Sequence, residues 1–482
     1  MAVRDPRVAD SPSEPKPSAA TARGVRAFLI RLWRLKMIFL RKLFRRWMRV
    51  WLNLRPPQQL VLGFASYMVI GVLLLTLPFA QKVPCGLIDN LFNVSSAIST
   101  TGLTTISVAD SYTFFGQFVI LALFQLGGVG YMTISSVIIQ ARGNSLSQSR
   151  MNVLGAGFAV PHYFVLNRFI VHVVVFTFFT ELIGALLLWW RFASLHVPDA
   201  LWSAVFHSVS AFATAGFSLN NDSLAPFVND WFVNAVIAVL CYLGAIGFIV
   251  VQDVWYSIKF RQHLITFTSQ SILFLTALIF IVGTIIFYFV EPSVREMPFG
   301  EGVMAAAFQV MTASSTAGFN TIPIGPLSRA ALLIIMVAML IGASPSGTGG
   351  GIKTTTVTAL FANVTSSLRG RTQVVWLNRE IPLVRLHSAF AAATIYLVLL
   401  VVGVLSLCIT ERHDFLPIVF EASSAIGTVG LSMGITADLS ILGKLMITFL
   451  MFAGRCGPLS LGLALLRPVS EQEEIRGDDL AV

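Results

Sequence analysis

The sequence predicts an all-α polytopic membrane protein, built from four tandem helix–pore-loop–helix (M1-P-M2) repeats around a pseudo-fourfold central pore. Of its 482 residues, 56% are hydrophobic and 12% are charged, whereas soluble proteins carry about 25% charged residues. Several apolar stretches reach the roughly 20 residues that cross a bilayer as a helix. A short motif also occurs four times at near-even spacing, and such self-similarity marks a repeat architecture.

The N-terminal arm carries the excess positive charge of the chain. Residues 1–55 contain 14 Lys and Arg residues and 3 Asp and Glu residues, and the rest of the chain is close to neutral. Residues 1–25 are rich in Pro, Ser and Ala, which predicts a disordered cytoplasmic N-terminus. Over residues 26–55, tryptophans and arginines occupy opposite sides of a helical pattern. This pattern predicts a basic amphipathic helix that binds membrane lipids at the interface, and the tryptophans disfavour the alternative of a nucleic-acid-binding helix.

The repeated motif aligns on one glycine in each copy. The copies are FNVSSAISTTGLT (92–104), FHSVSAFATAGFS (206–218), FQVMTASSTAGFN (308–320) and FEASSAIGTVGLS (420–432). Counted from that glycine, position −10 is always Phe, −6 is Ser or Thr, −5 is always Ala and −2 is always Thr, and the next residue is Leu or Phe. Agreement at this many positions indicates four copies of one structural unit.

Each copy lies between two long apolar segments, so each repeat is predicted to contain a helix, a half-helix and a second helix. Repeat 1 covers residues 56–145, repeat 2 covers 160–260, repeat 3 covers 262–366 and repeat 4 covers 384–467, before a short cytoplasmic tail at 468–482. The half-helices, at 88–100, 200–213, 302–315 and 416–427, are too short to cross a bilayer. We therefore expect each glycine loop to line a watery cavity that the four units enclose.

Loop charge predicts the orientation. The connections between repeats are basic, with Lys or Arg at positions 142, 150, 168, 259, 261, 369, 371, 379 and 385. The connections beside the half-helices are acidic or mixed. Because basic loops remain in the cytoplasm, we expect a multi-pass protein of the cell (inner) membrane, with both termini in the cytoplasm and the glycine loops facing outward.

The glycine loops suit a dehydrated cation. Rings of backbone carbonyls can replace the water shell of an ion, and glycine most readily permits the backbone that turns carbonyls inward. One such loop alone would be read as a tight turn between packed helices, but four matching copies favour a selectivity filter. Its predicted residues are Thr100, Thr101, Gly102, Leu103, Thr214, Ala215, Gly216, Phe217, Thr316, Ala317, Gly318, Phe319, Thr428, Val429, Gly430 and Leu431.

The stretch GASPSGTGGGIKTTT (342–356) is predicted to break the second helix of repeat 3, because proline removes a helix donor and glycines let the backbone leave the helical region. No comparable break is expected in the other second helices. A Walker A loop is disfavoured, since Ile352 separates Gly351 from Lys353. We interpret residues 342–353 as a gate beneath the filter, with a permanent kink as the alternative. The gate residues are Gly342, Ser344, Pro345, Ser346, Gly347, Thr348, Gly349, Gly350, Gly351 and Lys353.

Arg455 stands within the last apolar helix, where a charge usually faces a cavity or a partner. We expect it to face the pore, and pairing with a carboxylate or helix carbonyls is the alternative. His207 and Glu421, in the second and fourth half-helices, are expected to be structural hydrogen-bonding residues. The four cysteines are far apart, which argues against a disulfide framework or a zinc site.

With these motifs the chain resembles the Trk/Ktr/HKT superfamily of potassium transporters over roughly residues 57–466. STTGLTT, ATAGFS, STAGFNT and GTVGLS resemble its filters, and GASPSGTGGGIKTTT and FAGRCGPLSLGLAL resemble KtrB-type ion-translocating membrane subunits. The resemblance implies a homodimer with one pore per subunit and a cytosolic nucleotide-binding ring of KtrA/TrkA type. It also implies that 342–353 is an intramembrane gate on which Arg455 acts. Serine at the first filter glycine accompanies sodium transport in plant relatives, so four glycines imply potassium (K+) as the transported ion.

Other functions remain open at this point. A Na+-permeable or Na+/H+-coupled transporter of the same superfamily would share these motifs, with Na+ as a coupling or regulatory ion. The pore subunit of an ATP-driven potassium pump shares the fourfold ancestry but usually carries additional helices at both ends. A membrane-anchored nucleotide enzyme is disfavoured, because no segment outside the helices is long enough to fold as one. We therefore expect no enzyme activity and no cofactor in this chain.

Overall fold

The computed structural model describes residues 54–130, 133, 166–259 and 265–466. Residues from Arg55 onward form one compact unit. The predicted disordered segment 1–25, the interfacial helix except for its last two residues, and the tail 468–482 lie outside the described residues. The basic loop positions 142, 150 and 261 lie outside them as well.

The described helices follow the order of the four predicted repeats. Repeat 1 contains α1 (Pro56–Leu75), α2 (Leu87–Ser99), α3 (Val108–Ser111) and α4 (Phe114–Val129); repeat 2 contains α5 (Leu166–Ser194), α6 (Ala200–Phe212), α7 (Trp231–Ala245) and α8 (Phe248–Lys259). Repeat 3 contains α9 (Phe267–Val290), α10 (Pro292–Arg295), α11 (Phe299–Ser314), α12 (Arg329–Leu340) and α13 (Thr354–Leu368). A hairpin of β1 (Val375–Trp376) and β2 (Arg379–Glu380) leads to repeat 4, with α14 (Leu383–Thr410), α15 (Phe415–Gly427), α16 (Ile441–Cys456) and α17 (Pro458–Leu465).

The first helix of every repeat is long and apolar enough to cross a membrane. The half-helices α2, α6, α11 and α15 have 13 to 16 residues, which at 1.5 Å per residue is about 20–24 Å and shorter than the roughly 30 Å hydrocarbon core. They are buried on nearly every side; in α2, every residue from Phe92 to Ser99 is buried. The half-helices therefore form the inside of the bundle and the long helices surround them.

The second helices correct the expectation that only repeat 3 is interrupted. The pair α7 and α8 is bent by 98° and the pair α16 and α17 by 95°. The bends lie at Gly247 and Gly457, whose φ values are 96° and 82°, and α4 ends at Gly130 with a φ of 85°. The expectation was wrong because a single glycine in the left-handed region is enough to end a helix. Repeat 3 is distinguished instead by the length of its interruption, from Ile341 to Lys353.

The repeated phenylalanine at position −10 joins neighbouring repeats. Phe206 of repeat 2 is buried in the apolar cluster of repeat 1, with its ring centroid 5.4 Å from that of Phe124. Phe308, Phe420 and Phe92 lie in the same way in the clusters of repeats 2, 3 and 4. The Leu or Phe after each motif glycine lies in the same cluster as this phenylalanine. Each repeat thus packs on the next, and repeat 1 packs on repeat 4 to close the ring.

Large apolar side chains cover the outside of the bundle. On α5, Phe178, Phe179 and Leu182 are each more than half exposed, and Ile281 and Phe289 on α9 are too. Such a surface is unfavourable in water and matches the hydrocarbon of a bilayer. The described residues therefore form a multi-pass membrane protein.

Candidate functional site

Each half-helix ends in the same backbone conformation at the motif threonine. The φ values are 55° at Thr100, 50° at Thr214, 56° at Thr316 and 51° at Thr428, a region that β-branched residues rarely adopt. In every repeat the amide of this threonine donates to the carbonyl of the motif alanine, and the next amide donates to the carbonyl at position −6. These two bonds make a Schellman cap with threonine where glycine is usual. Backbone strain of this kind concentrates at functional sites.

The four motif glycines form a closed ring. All have a positive φ: 99° at Gly102, 68° at Gly216, 79° at Gly318 and 95° at Gly430. A Cβ added to Gly102 would lie 2.6 Å from the carbonyl oxygen of Ala215, and one added to Gly216 would lie 2.7 Å from that of Ala317. Gly318 and Gly430 stand in the same relation to the carbonyls of Val429 and Thr101. Each glycine therefore touches the carbonyl that precedes the next glycine, and the sequence of contacts returns to its start.

The hydroxyl at position −6 ties the loop to its own half-helix in repeats 1, 2 and 4, whereas the hydroxyl of Thr312 in repeat 3 has no hydrogen-bond partner among the described residues. Ser96 accepts from the amide of Gly102, and Ser424 accepts from that of Gly430, both at 3.0 Å. The hydroxyl of Ser210 donates to the carbonyl of Phe217 at 2.8 Å. These bonds fix the glycine itself or the residue after it, so three of the four loops are held by the helices beneath them.

This arrangement offers backbone oxygens to an ion. Carbonyl rings of this kind replace the hydration shell of a monovalent cation, whereas divalent cations are usually held by carboxylates. Among the described residues, no group of three or more His, Cys, Asp or Glu side chains could hold a metal ion. The Leu or Phe after each glycine packs between repeats, so at these four predicted filter positions the side chain contributes to packing.

Residues 342–353, here the gate segment, touch the motif threonines of all four repeats. The carbonyl oxygen of Thr348 accepts from the hydroxyl of Thr100 at 3.2 Å. The hydroxyl of Thr348 lies 3.0 Å from the hydroxyl of Thr214. The two following glycines reach the other two repeats. Thr348 therefore links repeats 1 and 2 to the gate segment directly below the ring.

Gly349 and Gly350 complete this contact with repeats 3 and 4. The amide of Gly350 donates to the hydroxyl of Thr428 at 2.9 Å. A Cβ added to Gly349 would collide with the hydroxyl of Thr316. Because the gate segment meets one threonine from each repeat, it crosses the pseudo-fourfold axis, and only glycine leaves room for that approach.

The gate segment is anchored at the bend between α7 and α8. The amides of Ser344 and Thr348 donate to the carbonyls of Ala245 and Gly244, at 3.0 and 3.1 Å. The side chain of Ser346 accepts from the amide of Ile249 at 3.2 Å. Gly247 also lies close to the gate segment, since a Cβ added to it would collide with the carbonyl oxygen of Pro345. The gate segment of repeat 3 thus packs against the bend between α7 and α8 of repeat 2.

Two basic side chains, one from α16 and one from the gate segment itself, donate to backbone oxygens of this segment. Arg455 of α16 donates to the carbonyl of Thr348 and, at 3.1 Å, to the hydroxyl of Thr100. It also donates to the carbonyls of Gly127 and Gly128 at the end of α4. Lys353 donates to the carbonyl of Gly349 at 2.7 Å. The arginine therefore connects the gate segment to repeats 1 and 4, and these four partners are hydroxyl and carbonyl oxygens.

Comparison with known proteins identifies the family of this chain. The model of the family TrkH, cation transport protein, matches residues 58–475. The chain belongs to this family. It is 35% identical over 440 residues to the Ktr system potassium uptake protein B of Bacillus subtilis (strain 168), covering 89% of this chain and 96% of that protein. It is 32% identical over 441 residues to the potassium/sodium uptake protein NtpJ of Enterococcus hirae, covering 88% and 96%.

The TrkH fold is also found by comparison with solved structures. The crystal structure of the potassium transporter TrkH from Vibrio parahaemolyticus matches with a TM-score of 0.67 and 20% identity, over 84% of this chain and 83% of that one. At 20% identity this similarity shows only that the two chains share a fold, which contains four M1-P-M2 repeats. The fold class expected from the sequence is confirmed.

Some residues of this TrkH-family chain carried a signal that the sequence analysis passed over. Glu181 is a buried carboxylate in the apolar helix α5, and it accepts from the side chain of Gln125 at 2.9 Å. An acidic residue within a membrane span is a sufficient signal to single it out. The left-handed conformation of the motif threonines had no such signal, because threonine ordinarily favours extended or right-handed backbone.

Proposed function

We propose that this chain is the potassium-translocating pore subunit of a Ktr/Trk-type uptake system. The observation that carries the proposal is the closed ring of four glycine loops, in which each glycine touches the carbonyl before the next. A ring of this type selects a monovalent cation by replacing its water shell. The similarity to Ktr system potassium uptake proteins B and D supports potassium as that cation.

Within this proposal the sixteen predicted residues from Thr100 to Leu431 are the selectivity filter, with backbone carbonyls as ligands and threonines as the caps that set their direction. K+ is the transported substrate of the filter. The half-helices aim their partly negative C-terminal ends at the ring, which adds to the attraction for a cation.

The gate segment is the element that stops the ion below the filter. Its hydrogen bonds with Thr100, Thr214 and Thr428 support this role, because a permeating ion would have to pass between these threonines. Arg455 adds a positive charge at the same level, which opposes a cation there. Opening then requires the segment to leave its bonds to Arg455 and to the bend at Gly247.

Several features of the proposal concern the surroundings of the pore. We place both termini and the basic loops in the cytoplasm of a cell whose inner membrane holds the protein, and the filter on the outer side. The protein acts as a homodimer with one pore per subunit and is regulated by a cytosolic nucleotide-binding ring of KtrA/TrkA type. The basic segment 26–55 binds anionic lipid. These partners extend the family resemblance to this chain.

A flux assay tests the proposal. Purified protein in liposomes loaded with a K+- or Na+-sensitive dye should admit K+ and, under the same gradient, much less Na+. A protein that admits neither ion after removal of the gate segment, or that admits only Na+, would contradict it.

A second candidate is a Na+-permeable or Na+-coupled transporter, with Na+ as a coupling or regulatory ion. The similarity to a potassium/sodium uptake protein supports this second candidate. Imposing a Na+ gradient on the same liposomes separates the two, since coupling would drive K+ against its own gradient and a passive pore would not.

A further inference from the structure

A second set of buried polar residues lies behind the filter loops. Counted from the motif glycine, position −9 is polar in every repeat, although its chemical type differs. The residues are Asn93, His207, Gln309 and Glu421. All four side chains have no exposed surface, and none belongs to the glycine ring or the gate segment. Because a buried polar group is costly unless it is hydrogen-bonded, a shared buried position calls for a shared partner.

That partner is the stretch of chain that follows each motif glycine. We call residues 103–107, 217–224, 319–328 and 431–440 the post-filter segments. In repeat 1, the carbonyl oxygen of the Asn93 side chain accepts from the amide of Thr105 at 3.2 Å. In repeat 2, Nε2 of His207 lies 2.9 Å from the hydroxyl of Ser218, while Nδ1 lies 2.8 Å from the carbonyl of Ser203.

Repeats 3 and 4 show the same connection with different side chains. Nε2 of Gln309 donates to the hydroxyl of Thr321 at 3.4 Å. Glu421 accepts from the hydroxyl of Thr436, which is itself 2.9 Å from the hydroxyl of Ser432. Four different polar side chains therefore make the equivalent contact in the four repeats. Each one connects its half-helix to the post-filter segment of the same repeat.

The post-filter segments of repeats 1, 2 and 3 are also joined to one another. Asn320 of repeat 3 donates its amide to the hydroxyl of Ser223 and accepts from the amide of Leu224, both in repeat 2. The hydroxyl of Ser107 in repeat 1 donates to Asn221 in repeat 2 at 2.6 Å. Asn221 in turn donates to Asp110, and hydrogen bonds from Asn221 and Ser107 lower the pKa of that exposed carboxyl. A shift of one of these three segments is thus transmitted to its neighbour.

We propose that the four side chains at position −9 are positioning residues that set the spacing of the carbonyl ring. The threonine cap fixes each loop before its glycine, and the bond from −9 fixes the chain after it. Loss of one −9 bond releases one quarter of the ring and changes ion affinity and selectivity without removing any ligand. This inference rests on the proposed function as a K+-selective pore.

Repeat 4 offers the sharpest test, because its bond can be removed from either side. Glu421→Met and Thr436→Val each delete it, and Glu421→Gln keeps an oxygen that accepts from Thr436. In liposome flux assays we expect each deletion to raise the apparent KM for K+ and to lower the K+/Na+ flux ratio, both by about tenfold for one buried hydrogen bond. The double variant should be no worse than the more damaging single variant, since both remove the same interaction. Glu421→Gln should stay near the wild type.

Ser208→Ala is the matched control. Ser208 is as buried as His207 and lies next to it, but its hydroxyl donates at 2.7 Å to the carbonyl of Glu181 on α5 rather than to a post-filter segment. Its flux ratio should equal that of the wild type. The inference is overturned if Glu421→Met and Thr436→Val leave KM and flux ratio unchanged, if Glu421→Gln is as damaging as Glu421→Met, or if Ser208→Ala has the same effect. A wild type that shows no preference for K+ refutes the proposed function instead.

Discussion

Replacing one filter glycine should damage selectivity by moving a carbonyl, and the chain contains a glycine that isolates this effect. In Gly102→Ser, the new Cβ lies 2.6 Å from the carbonyl oxygen of Ala215, whereas ordinary contacts begin at 3.4 Å. Gly434 has nearly the same φ, 94° against 99°, but nothing within 4 Å of the position of its Cβ. Both substitutions carry the left-handed backbone cost of about 1–2 kcal/mol, and only the first one displaces the ring.

The displacement needed at Ala215 is about 0.8 Å, from 2.6 to 3.4 Å. Binding groups generally have to be held within about 0.5 Å of their working geometry, so the shift exceeds the tolerance of the site. We expect Gly102→Ser to lower the K+/Na+ flux ratio at least tenfold, which corresponds to about 1.4 kcal/mol, while Gly434→Ser keeps the wild-type ratio. Dye-based flux into liposomes measures both ratios. Equal ratios for the two variants, whether both are wild-type or both reduced, would refute the reasoning.

Three further predictions follow from the gate and the packing of the repeats. Deleting Gly347–Gly350 should increase basal K+ flux several-fold, because it removes the backbone beneath the ring. Arg455→Gln should also increase basal flux, since it removes a positive charge and a donor to the carbonyl of Thr348. Phe206→Ala should destabilise the protein by about 3 kcal/mol, because the ring fills the contact between repeats 1 and 2; thermal unfolding in detergent measures this.

Each of these predictions has a control within the chain. Deleting residues in the exposed turn at Gly370, which has open space around its Cβ position, should leave basal flux unchanged. Arg191→Gln removes a charge whose partner is Asp230 at 2.7 Å, far in sequence from the gate, and should leave basal flux at the wild-type level. Phe178→Ala, on the outer surface, should change stability by about 0.5 kcal/mol or less. Folded gate variants with unaltered or lower flux would contradict the gate assignment, and a stable Phe206→Ala would contradict the role of the repeated phenylalanine.

The fourfold architecture could be predicted from the sequence because its determinants are local. Position −2 and the motif glycine recur in each copy, and apolar length alone separates the half-helices from the spanning helices. The interruption of repeat 3 was equally accessible, since proline and a run of glycines stand in the middle of an apolar segment. Its observed ends, Ile341 and Lys353, agree with the predicted gate segment to within one residue.

The remaining features depend on contacts between residues distant in the chain. The sequence showed that Phe206 has counterparts in all repeats, but its place in the cluster of the preceding repeat follows only from the closed ring. The same holds for Arg455, whose partners in α4 lie more than 320 positions away. The bends at Gly247 and Gly457 were missed because single glycines within apolar helices are common and most do not bend the helix. At Gly247 the bend is set by the gate segment that packs against it, which is distant in the sequence.

The position of the ion tests the account most directly. A crystal structure of the purified protein grown with Rb+ in place of K+ would reveal the ion by its anomalous scattering. We predict a peak on the pseudo-fourfold axis, coordinated by the backbone carbonyls of Thr101, Ala215, Ala317 and Val429. A peak held instead by side chains away from this ring, or a ring that binds no Rb+ while the protein transports K+, would contradict the central claim that these four loops are the selectivity filter.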